Sequence, residues 1–244
     1  MLANEILSIR ALNTGYGKLQ ILHDLDLTIL RGQFVAILGP NGSGKSTLLK
    51  SIFGLTDHFG GTIALDGKEL TSLPTEQISA QGISYVPQRA NIFTTMTVRE
   101  NLLLALRNCS HTDVMTRLNR AYELFPILEE RAHQRAGQLS GGQRQMVAIA
   151  LGWLLQPKVM LLDEPSAGLA PIVVTEVFHT LQTLCQTGIT LVVVEQNARS
   201  LLRWCDYAYI LREGRLAFHG TAAEILADEE TAKGYLGIAT HSHS

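Results

Sequence analysis

The sequence GPNGSGKS at residues 39–46 decides the fold of this chain. It fits the pattern G-x-x-x-x-G-K-[ST], which is typical of a loop that wraps around the phosphates of a nucleoside triphosphate. Glycine lets the backbone turn its N–H groups inward around an anion. A helix that begins near Lys45 directs the positive end of its dipole to the same point. The apolar run Phe34–Leu38 predicts a buried strand before the loop, and residues 47–53 read as a helix after it. This context argues strongly against a chance glycine-rich turn.

Two side chains of the loop carry specific chemistry. Lys45 is expected to place a full positive charge on the β- and γ-phosphates. The hydroxyl of Ser46 suits Mg²⁺, because this ion prefers oxygen ligands and keeps several waters. The predicted nucleotide-binding residues of the loop are Gly39, Pro40, Asn41, Gly42, Ser43, Gly44, Lys45, Ser46 and Thr47.

The composition bounds the class of protein. The chain has 244 residues, of which 46% are hydrophobic, and this suits one large α/β domain or a domain with a subdomain. A formal net charge of −2 gives no sign of the basic face that nucleic-acid binding requires. The three cysteines lack C-x-x-C spacing, which favours reduced thiols in a cytosolic protein. The sequence predicts neither a membrane span nor a signal peptide, since it lacks a run of 18 apolar residues and a charged, apolar start.

The hydrophobic pattern alternates between strands and helices. Continuous apolar runs predict buried parallel strands, and helical spacing of leucines begins at Val98 and continues to about Arg131. The predicted strands cover residues 5–11, 25–30, 62–65, 83–86, 159–162 and 190–194, with a loop at 14–18, a crossover helix at 172–185 and a helical end from 222. The alternation predicts an α/β fold whose parallel sheet is covered on both faces.

Two carboxylates follow the predicted strand at 159–162. We assign Asp163 to the metal shell and Glu164 to the orientation and deprotonation of an attacking water, because the carboxyl end of a neighbouring parallel strand faces the phosphates. The alternative is an acidic pair that caps a helix.

Two further segments are candidates for the same site. Residues 139–143, LSGGQ, open an apolar helix and could bind an anion from another subunit, although Ser140 could equally be an ordinary N-cap. Gln88 follows a strand and could coordinate Mg²⁺ or the attacking water, whereas a lone glutamine is usually a polar surface residue.

Together these motifs resemble the ATP-binding subunits of ABC transporters. In that family's order, residues 39–46 resemble Walker A, Gln88 the Q-loop, residues 139–143 the signature, and residues 159–163 with Glu164 Walker B and its catalytic glutamate. Tyr16 lies where the family stacks an aromatic ring on adenine. The resemblance implies an α/β P-loop NTPase fold with a parallel core sheet, an antiparallel β subdomain and a helical subdomain. It divides a single domain of residues 1–244 into a core with its β subdomain (1–88 and 156–220), a helical subdomain (89–155) and a short helical end (221–244).

The resemblance also implies a mechanism. Two ATPase subunits form a head-to-tail dimer, and each ATP with its Mg²⁺ lies between the phosphate loop of one subunit and the signature of the other. The signature residues expected to act in trans are Ser140, Gly141, Gly142 and Gln143. Hydrolysis assisted by Glu164 reopens the dimer and is coupled to permeases through a groove near Gln88 and the helical insert.

Two departures from the family pattern point to one subfamily. Gln196 stands where the family usually has a histidine; it can donate a hydrogen bond to the γ-phosphate but has no positive charge, so we expect a weaker or asymmetric site. The segment 166–170 ends in Ala170, where an aspartate is common. Together with residues 168–171 (GLAP), 194–198 (VEQNA) and 234–237 (GYLG), these features resemble the second ATPase of importers for branched-chain and other neutral, hydrophobic amino acids. Urea importers are very similar.

This subfamily implies specific partners and a location. The expected partners are a second, different ATPase subunit, two transmembrane permeases and an extracytoplasmic solute-binding protein, with no nucleic acid. The expected location is the cytoplasmic face of the inner membrane. Alternatives are an exporter subunit, a non-transport ATPase of the superfamily, a ribosome-associated factor, and a GTPase or kinase. A non-transport ATPase is disfavoured because the insert between Lys45 and Ser140 is short and lacks heptads. A ribosome-associated factor is disfavoured because the chain has a single cassette. A GTPase or kinase is disfavoured because the guanine-reading motif Asn-Lys-x-Asp is missing.

Overall fold

The computed structural model describes residues 4–89 and 91–227. The strands are β1 (Glu5–Tyr16), β2 (Leu19–Leu30), β3 (Phe34–Leu38), β4 (Asp57–Leu65), β5 (Lys68–Glu69), β6 (Ile83–Val86), β7 (Val159–Asp163), β8 (Thr190–Val194), β9 (Tyr207–Arg212) and β10 (Arg215–Thr221). The helices are α1 (Lys45–Ile52), α2 (Thr75–Ala80), α3 (Val98–Ala105), α4 (His111–Leu124), α5 (Pro126–Glu130), α6 (Gly141–Leu154), α7 (Pro171–Gln186), α8 (Ala198–Leu201) and α9 (Ala222–Ala227), with a 3-10 turn at Ala136–Gln138.

The central sheet has the strand order β10-β9-β3-β8-β7-β6. The strands from β9 to β6 are parallel, and β10 pairs antiparallel with β9. Every residue of β3, β7 and β8 is buried. Successive residues of β3 pack into different hydrophobic clusters, Phe34 into one and Val35 into the other. The sheet is therefore covered on both faces, which explains why these strands read as unbroken apolar runs.

A second, antiparallel sheet has the order β2-β1-β4-β5. Its apolar side chains share a buried cluster with α1 and with one face of the central sheet. Asp66, in the turn after β4, forms ion pairs with Arg31 and Lys158. These two cations precede β3 and β7, so the turn fastens the antiparallel sheet to the central one.

Helices α3 to α6 lie between β6 and β7 in the chain. Their apolar faces join the cluster on the other side of the central sheet, where Trp153 packs edge-on against Phe125 at 6.4 Å between ring centroids. Full burial of a large apolar side chain stabilises a fold by about 1.5–3 kcal/mol. These buried side chains therefore anchor the helical region to that face of the central sheet.

The structure corrects part of the predicted pattern. The prediction of a loop at residues 14–18 is wrong: β1 continues through Tyr16, and only Gly17 and Lys18 separate it from β2. β1 pairs with β2 on one side and with β4 on the other, in an irregular register, and this pairing satisfies its backbone there. Thr14 also donates its hydroxyl to the carbonyl oxygen of Asp57 at 2.7 Å. The hairpin of β9 and β10 was not predicted. The helical end does begin with α9, while residues 234–237 lie outside the described residues.

Candidate nucleotide-binding site

The phosphate loop connects β3 to α1, and its glycines are required by the backbone. Gly39 and Gly44 have φ angles of 144° and 98°. Residues other than glycine rarely adopt this region of φ. A Cβ on Gly39 would lie 2.2 Å from the carbonyl oxygen of Leu211, and one on Gly44 would lie 2.5 Å from Cδ2 of Leu22. The loop is therefore held closely between β2 and the end of β9.

Lys45 points back across this loop. Its Nζ donates hydrogen bonds to the carbonyls of Gly39 at 2.9 Å and Pro40 at 3.0 Å. Burial lowers the pKa of Lys45, while the nearby carboxylates of Glu164 and Asp163 act in the opposite direction. A buried ammonium whose partners are neutral carbonyls is ready to exchange them for the oxygens of an anion.

The hydroxyl of Ser43 supports an anion site at the same loop. Ser43 is only 2% exposed, and its Oγ has no hydrogen-bond partner among the described residues. An unpaired buried hydroxyl is costly. A phosphate oxygen in the loop is the kind of acceptor that would satisfy it.

Asp163 is held by two hydroxyl groups. Ser46 donates to Oδ1 at 2.7 Å, and Tyr85 donates to Oδ2 at 3.2 Å. Burial raises the pKa of Tyr85 well above its usual range, and the charge of Asp163 adds to this, so the tyrosine remains a donor. A carboxylate beside a hydroxyl at the end of a phosphate loop is a donor set that fits Mg²⁺. The sequence pattern did not predict a role for Tyr85.

Glu164 is linked to Gln88, one of the three predicted metal ligands. The amide of Gln88 donates to Oε2 of Glu164 at 2.6 Å. Glu164 has a φ of 46°, and its own N–H donates to the carbonyl of Val194 at 2.9 Å. The structure thus joins two of the predicted site residues, while the metal role of Gln88 stays a prediction.

A second acidic residue, Glu195, follows β8 and was likewise not predicted. It is 3% exposed, and its Oε1 accepts a hydrogen bond from the backbone N–H of Ser166 at 2.8 Å. Burial raises the pKa of this carboxyl, and the charge of Glu164 raises it further. Gln196, the next residue, is exposed and lines a groove of about 1000 Å³ together with Gln88 and Glu164. The structure therefore brings Gln196 to the predicted catalytic carboxylate.

The signature segment forms the start of α6. Ser140 caps the helix, accepting from the N–H of Gln143 at 3.2 Å while its own N–H donates to the side chain of Gln143 at 3.1 Å. A Cβ on Gly142 would lie 2.3 Å from Cγ1 of Val173 on α7. The described lining of the groove beside Ser140, Gly142 and Gln143, about 410 Å³ in volume, contains no phosphate-loop residue. Within one chain this groove is thus separate from the phosphate loop.

The remaining predicted contact is that of Tyr16, at the end of β1, with adenine. Tyr16 is 41% exposed, and its role in stacking stays a prediction.

Among the helices of residues 4–89 and 91–227, none combines the length and the apolar character needed to cross a bilayer.

Comparison with known proteins agrees with this geometry. A model described as ABC transporter matches residues 22–167. BraG of Pseudomonas aeruginosa, named a high-affinity branched-chain amino acid transport ATP-binding protein, is 40% identical over 232 residues, covering 95% of this chain and 100% of BraG. LivF of Archaeoglobus fulgidus, named a probable branched-chain amino acid transport ATP-binding protein, is 43% identical over 93% of this chain and 97% of LivF.

A relative with a different stated role is more distant in sequence. LptB of Escherichia coli, named a lipopolysaccharide export system ATP-binding protein, is 36% identical over 95% of this chain and 97% of LptB. Among solved structures, a nucleotide-free ATP-binding cassette from an ABC transporter superposes with a TM-score of 0.84 at 26% identity, covering 97% of this chain and 100% of that one. The predicted fold class and family are therefore confirmed, and the chain belongs to the ABC transporter family as one of its ATP-hydrolysing subunits.

Proposed function

We propose that this chain binds Mg²⁺ and ATP at its phosphate loop and powers the import of branched-chain or other neutral, hydrophobic amino acids through separate permeases. The observation that carries the site is the convergence of Lys45, the Ser46–Asp163 pair and the Gln88–Glu164 pair. Lys45 lies at the start of the helix after β3, Asp163 ends β7, and Gln88 follows β6. All three strands belong to the central sheet, and ligands of α/β folds bind at the carboxyl ends of such strands. The printed names of BraG and LivF support the class of solute.

Each group of the loop has a defined task in this proposal. The backbone N–H groups of residues 39–46 and the ammonium of Lys45 bind the phosphates, and Lys45 releases the carbonyls of Gly39 and Pro40 when ATP arrives. The oxygens of Ser46 and Asp163 hold Mg²⁺, with Gln88 as a further ligand. The ion supplies neutralisation of the charge that develops on the phosphates.

Glu164 acts on the attacking water. The amide of Gln88 donates a 2.6 Å hydrogen bond to one oxygen of this carboxylate, and the other oxygen is left to accept a proton from the water. Gln196 lies in the same groove and donates a neutral hydrogen bond to the γ-phosphate. The adenine stacks on the exposed face of Tyr16.

The signature is proposed to act on the ATP of a second subunit. The start of α6 presents backbone N–H groups and the side chain of Ser140 to an anion, and its groove contains no described phosphate-loop residue of its own chain. A head-to-tail partner supplies the missing phosphate loop. We infer a different ATPase chain as that partner, because Gln196 leaves this chain with the weaker of two sites.

A groove between the central sheet and the helical region is the proposed docking site for a permease. It has a volume of about 580 Å³ and lies beside the strand end at Pro87. Phe93 and Leu155 line it and are 56% and 49% exposed, although large apolar side chains normally avoid water. A short apolar helix of a membrane partner would cover both. Such an assembly holds the chain at the cytoplasmic face of the inner membrane and delivers solute from an extracytoplasmic binding protein.

Two other uses of the same ATPase chemistry are outcomes of the test. Import of urea or amides requires only a different binding protein and permease. Export is the second candidate, since LptB is named for an export system.

The deciding experiment is affinity capture of the tagged chain from membranes of its own cell, with partners identified by mass spectrometry. Recovery of a second ATPase, two permeases and an amino-acid-binding protein supports the proposal. Recovery of a permease without a binding protein would contradict import. The variant Leu155→Glu should lose the permeases, whereas Met115→Glu, which alters another exposed apolar side chain (41% exposed) on α4 outside the groove, should keep them.

The nucleotide site is tested separately, by ATP hydrolysis in the captured assembly, which supplies the signature of the partner ATPase. Lys45→Ala should abolish ATP hydrolysis, and Lys50→Ala, five positions further along α1 and outside the described contacts of the site, should retain it. Normal turnover in the Lys45 variant would contradict the assignment of the phosphate loop.

A further inference from the structure

Tyr85 contacts both the proposed permease groove and the proposed magnesium carboxylate. Its ring lines the groove and lies 5.6 Å from the ring of Phe53, centroid to centroid. Its hydroxyl donates to Oδ2 of Asp163 at 3.2 Å. The other carboxylate oxygen, Oδ1, accepts the hydroxyl of Ser46 at 2.7 Å. One side chain therefore contacts both the groove and the carboxylate.

We propose that Tyr85 is a positioning residue that orients Asp163 for Mg²⁺ and makes the affinity for this ion respond to contacts in the groove. The inference rests on the proposed function, because the magnesium site and the permease groove are assigned there. Two hydroxyl donors, one on each oxygen, fix the rotation of the Asp163 carboxylate. Ser46 and Asp163 would hold Mg²⁺ together, and the hydrogen bond from Tyr85 to Oδ2 would keep the carboxylate in place if the contact with Ser46 gave way to the ion.

The packing around Tyr85 gives it a means to respond. Its ring is half-buried between β6 and α1, next to Phe53. Strand β6 is paired with β7 along its whole length, and Tyr85 lies opposite Leu161 in that pairing. The backbone of Tyr85 is therefore fixed by the sheet, while its ring faces the groove. A helix that enters the groove and presses on Phe53 or Tyr85 moves the hydroxyl relative to Asp163. This route lies on the face of the sheet that packs on α1 and does not include the Gln88–Glu164 contact.

The variant Tyr85→Phe isolates the hydroxyl, since it keeps the ring and its packing on Phe53. Binding of a fluorescent ATP analogue to the purified chain is measured in EDTA and then as a function of Mg²⁺ concentration. We expect affinity in EDTA to stay within about twofold, and the Mg²⁺ midpoint to rise by about tenfold, the effect of losing one hydrogen bond to a charged group. The electron paramagnetic resonance spectrum of bound Mn²⁺ should broaden, because the carboxylate is less ordered.

Tyr122→Phe is the matched control. The hydroxyl of Tyr122 is buried in the helical region and has no hydrogen-bond partner among the described residues. Its removal should leave both binding curves unchanged. An unchanged Mg²⁺ midpoint in Tyr85→Phe would overturn the inference, and so would an equal loss of affinity in EDTA, which would indicate general damage to the site.

The effect of contacts in the groove on the Mg²⁺ affinity is measured with the captured transporter. In the parent protein the Mg²⁺ midpoint should differ between the isolated chain and the assembly with permeases, and Tyr85→Phe should reduce that difference. An undiminished difference would contradict the role of Tyr85. Failure of the proposed function would give a different result. In that case the parent chain would bind nucleotide without any dependence on Mg²⁺, or would capture no permease.

Discussion

The side-chain amide of Gln88 donates a 2.6 Å hydrogen bond to the carboxylate of Glu164. Gln88 follows β6, and Glu164 follows the neighbouring strand β7, which carries Asp163. This hydrogen bond occupies one acceptor position of the carboxylate and fixes its orientation. The described arrangement thus joins the residues that follow two neighbouring strands of the central sheet, one of which is the proposed general base.

Replacement of Glu164 by glutamine separates binding from hydrolysis. We expect Glu164→Gln to bind ATP and to hydrolyse it at least about 10²-fold more slowly, the contribution of a lost general base. Nucleotide affinity and single-turnover hydrolysis are the measurements. Glu213→Gln is a matched control, since Glu213 has a similar φ of 51° and an 87% exposed side chain. An unchanged rate in the Glu164 variant would move the catalytic role to another residue.

Gln196 stands where the family usually has a histidine, and we expect it to influence the rate of ATP hydrolysis. We expect Gln196→His to be tolerated, with steady-state ATP hydrolysis at or above the parent level, because imidazole can donate the same hydrogen bond and also carry charge. Gln196→Ala should lower the rate, since it removes the donor. Complete loss of hydrolysis in the histidine variant, with ATP binding intact, would show that Gln196 has a role that histidine cannot fill.

A glycine of the signature has a packing role that is separate from ATP. Gly142→Ala places a Cβ 2.3 Å from Cγ1 of Val173, and overpacking of this kind costs about 1–3 kcal/mol. Chemical denaturation of the isolated chain should show this loss, and the double variant with Val173→Ala should recover most of it. Gly141→Ala, whose Cβ would meet Leu169 at 3.2 Å, should cost less. A Gly142 variant of full stability would contradict this packing account.

The buried carboxyl of Glu195 makes stability depend on pH. Burial, followed by the charge of Glu164, raises its pKa above the ordinary value of 4.5, partly opposed by hydrogen bonds from Ser166. Between 4.5 and the raised pKa the folded chain binds more protons than the unfolded chain at this site, so the stability from Glu195 falls as pH rises. Lys45 is the facing positive charge.

Glu195→Gln should therefore gain stability relative to the parent as pH increases. Glutamine keeps an oxygen for the N–H of Ser166 and does not ionise. Thermal unfolding from pH 5 to pH 8 should show the difference between the two proteins growing in favour of the glutamine variant and then levelling off. A difference that is constant over this range would exclude an elevated pKa at Glu195.

The sequence predicts the central sheet well because β3, β7 and β8 are buried on both faces. Continuous apolar runs such as Val159–Leu162 are typical of parallel strands that are covered by helices above and below. The motifs are visible in the sequence, since glycines with positive φ and paired carboxylates leave a pattern, and the roles of their residues stay predictions. The length of β1 was underestimated because Gly15 and Thr14 resemble a turn, and only pairing with β2 and β4 on both sides makes them a strand.

The site residues that were not predicted have no local signature. Tyr85 and Glu195 are single polar residues at the ends of apolar strands, and each gains its role from a partner far away in sequence, Asp163 or Ser166. A tyrosine in a predicted strand usually indicates only that its ring packs against the sheet. The antiparallel hairpin of β9 and β10 was hidden for a related reason, because β10 lies at the sheet edge and most of its residues are partly exposed.

The backbone of Glu164 has an evolutionary consequence. Its φ of 46° is a conformation that glycine and asparagine adopt more easily than glutamate, and such a residue costs roughly 1–3 kcal/mol where it is retained. Substitution to glycine would relax the turn after β7 and remove the carboxylate in one step. Laboratory selection of this chain for heat resistance alone would then enrich variants that fold better and no longer turn over ATP, unless transport is selected at the same time.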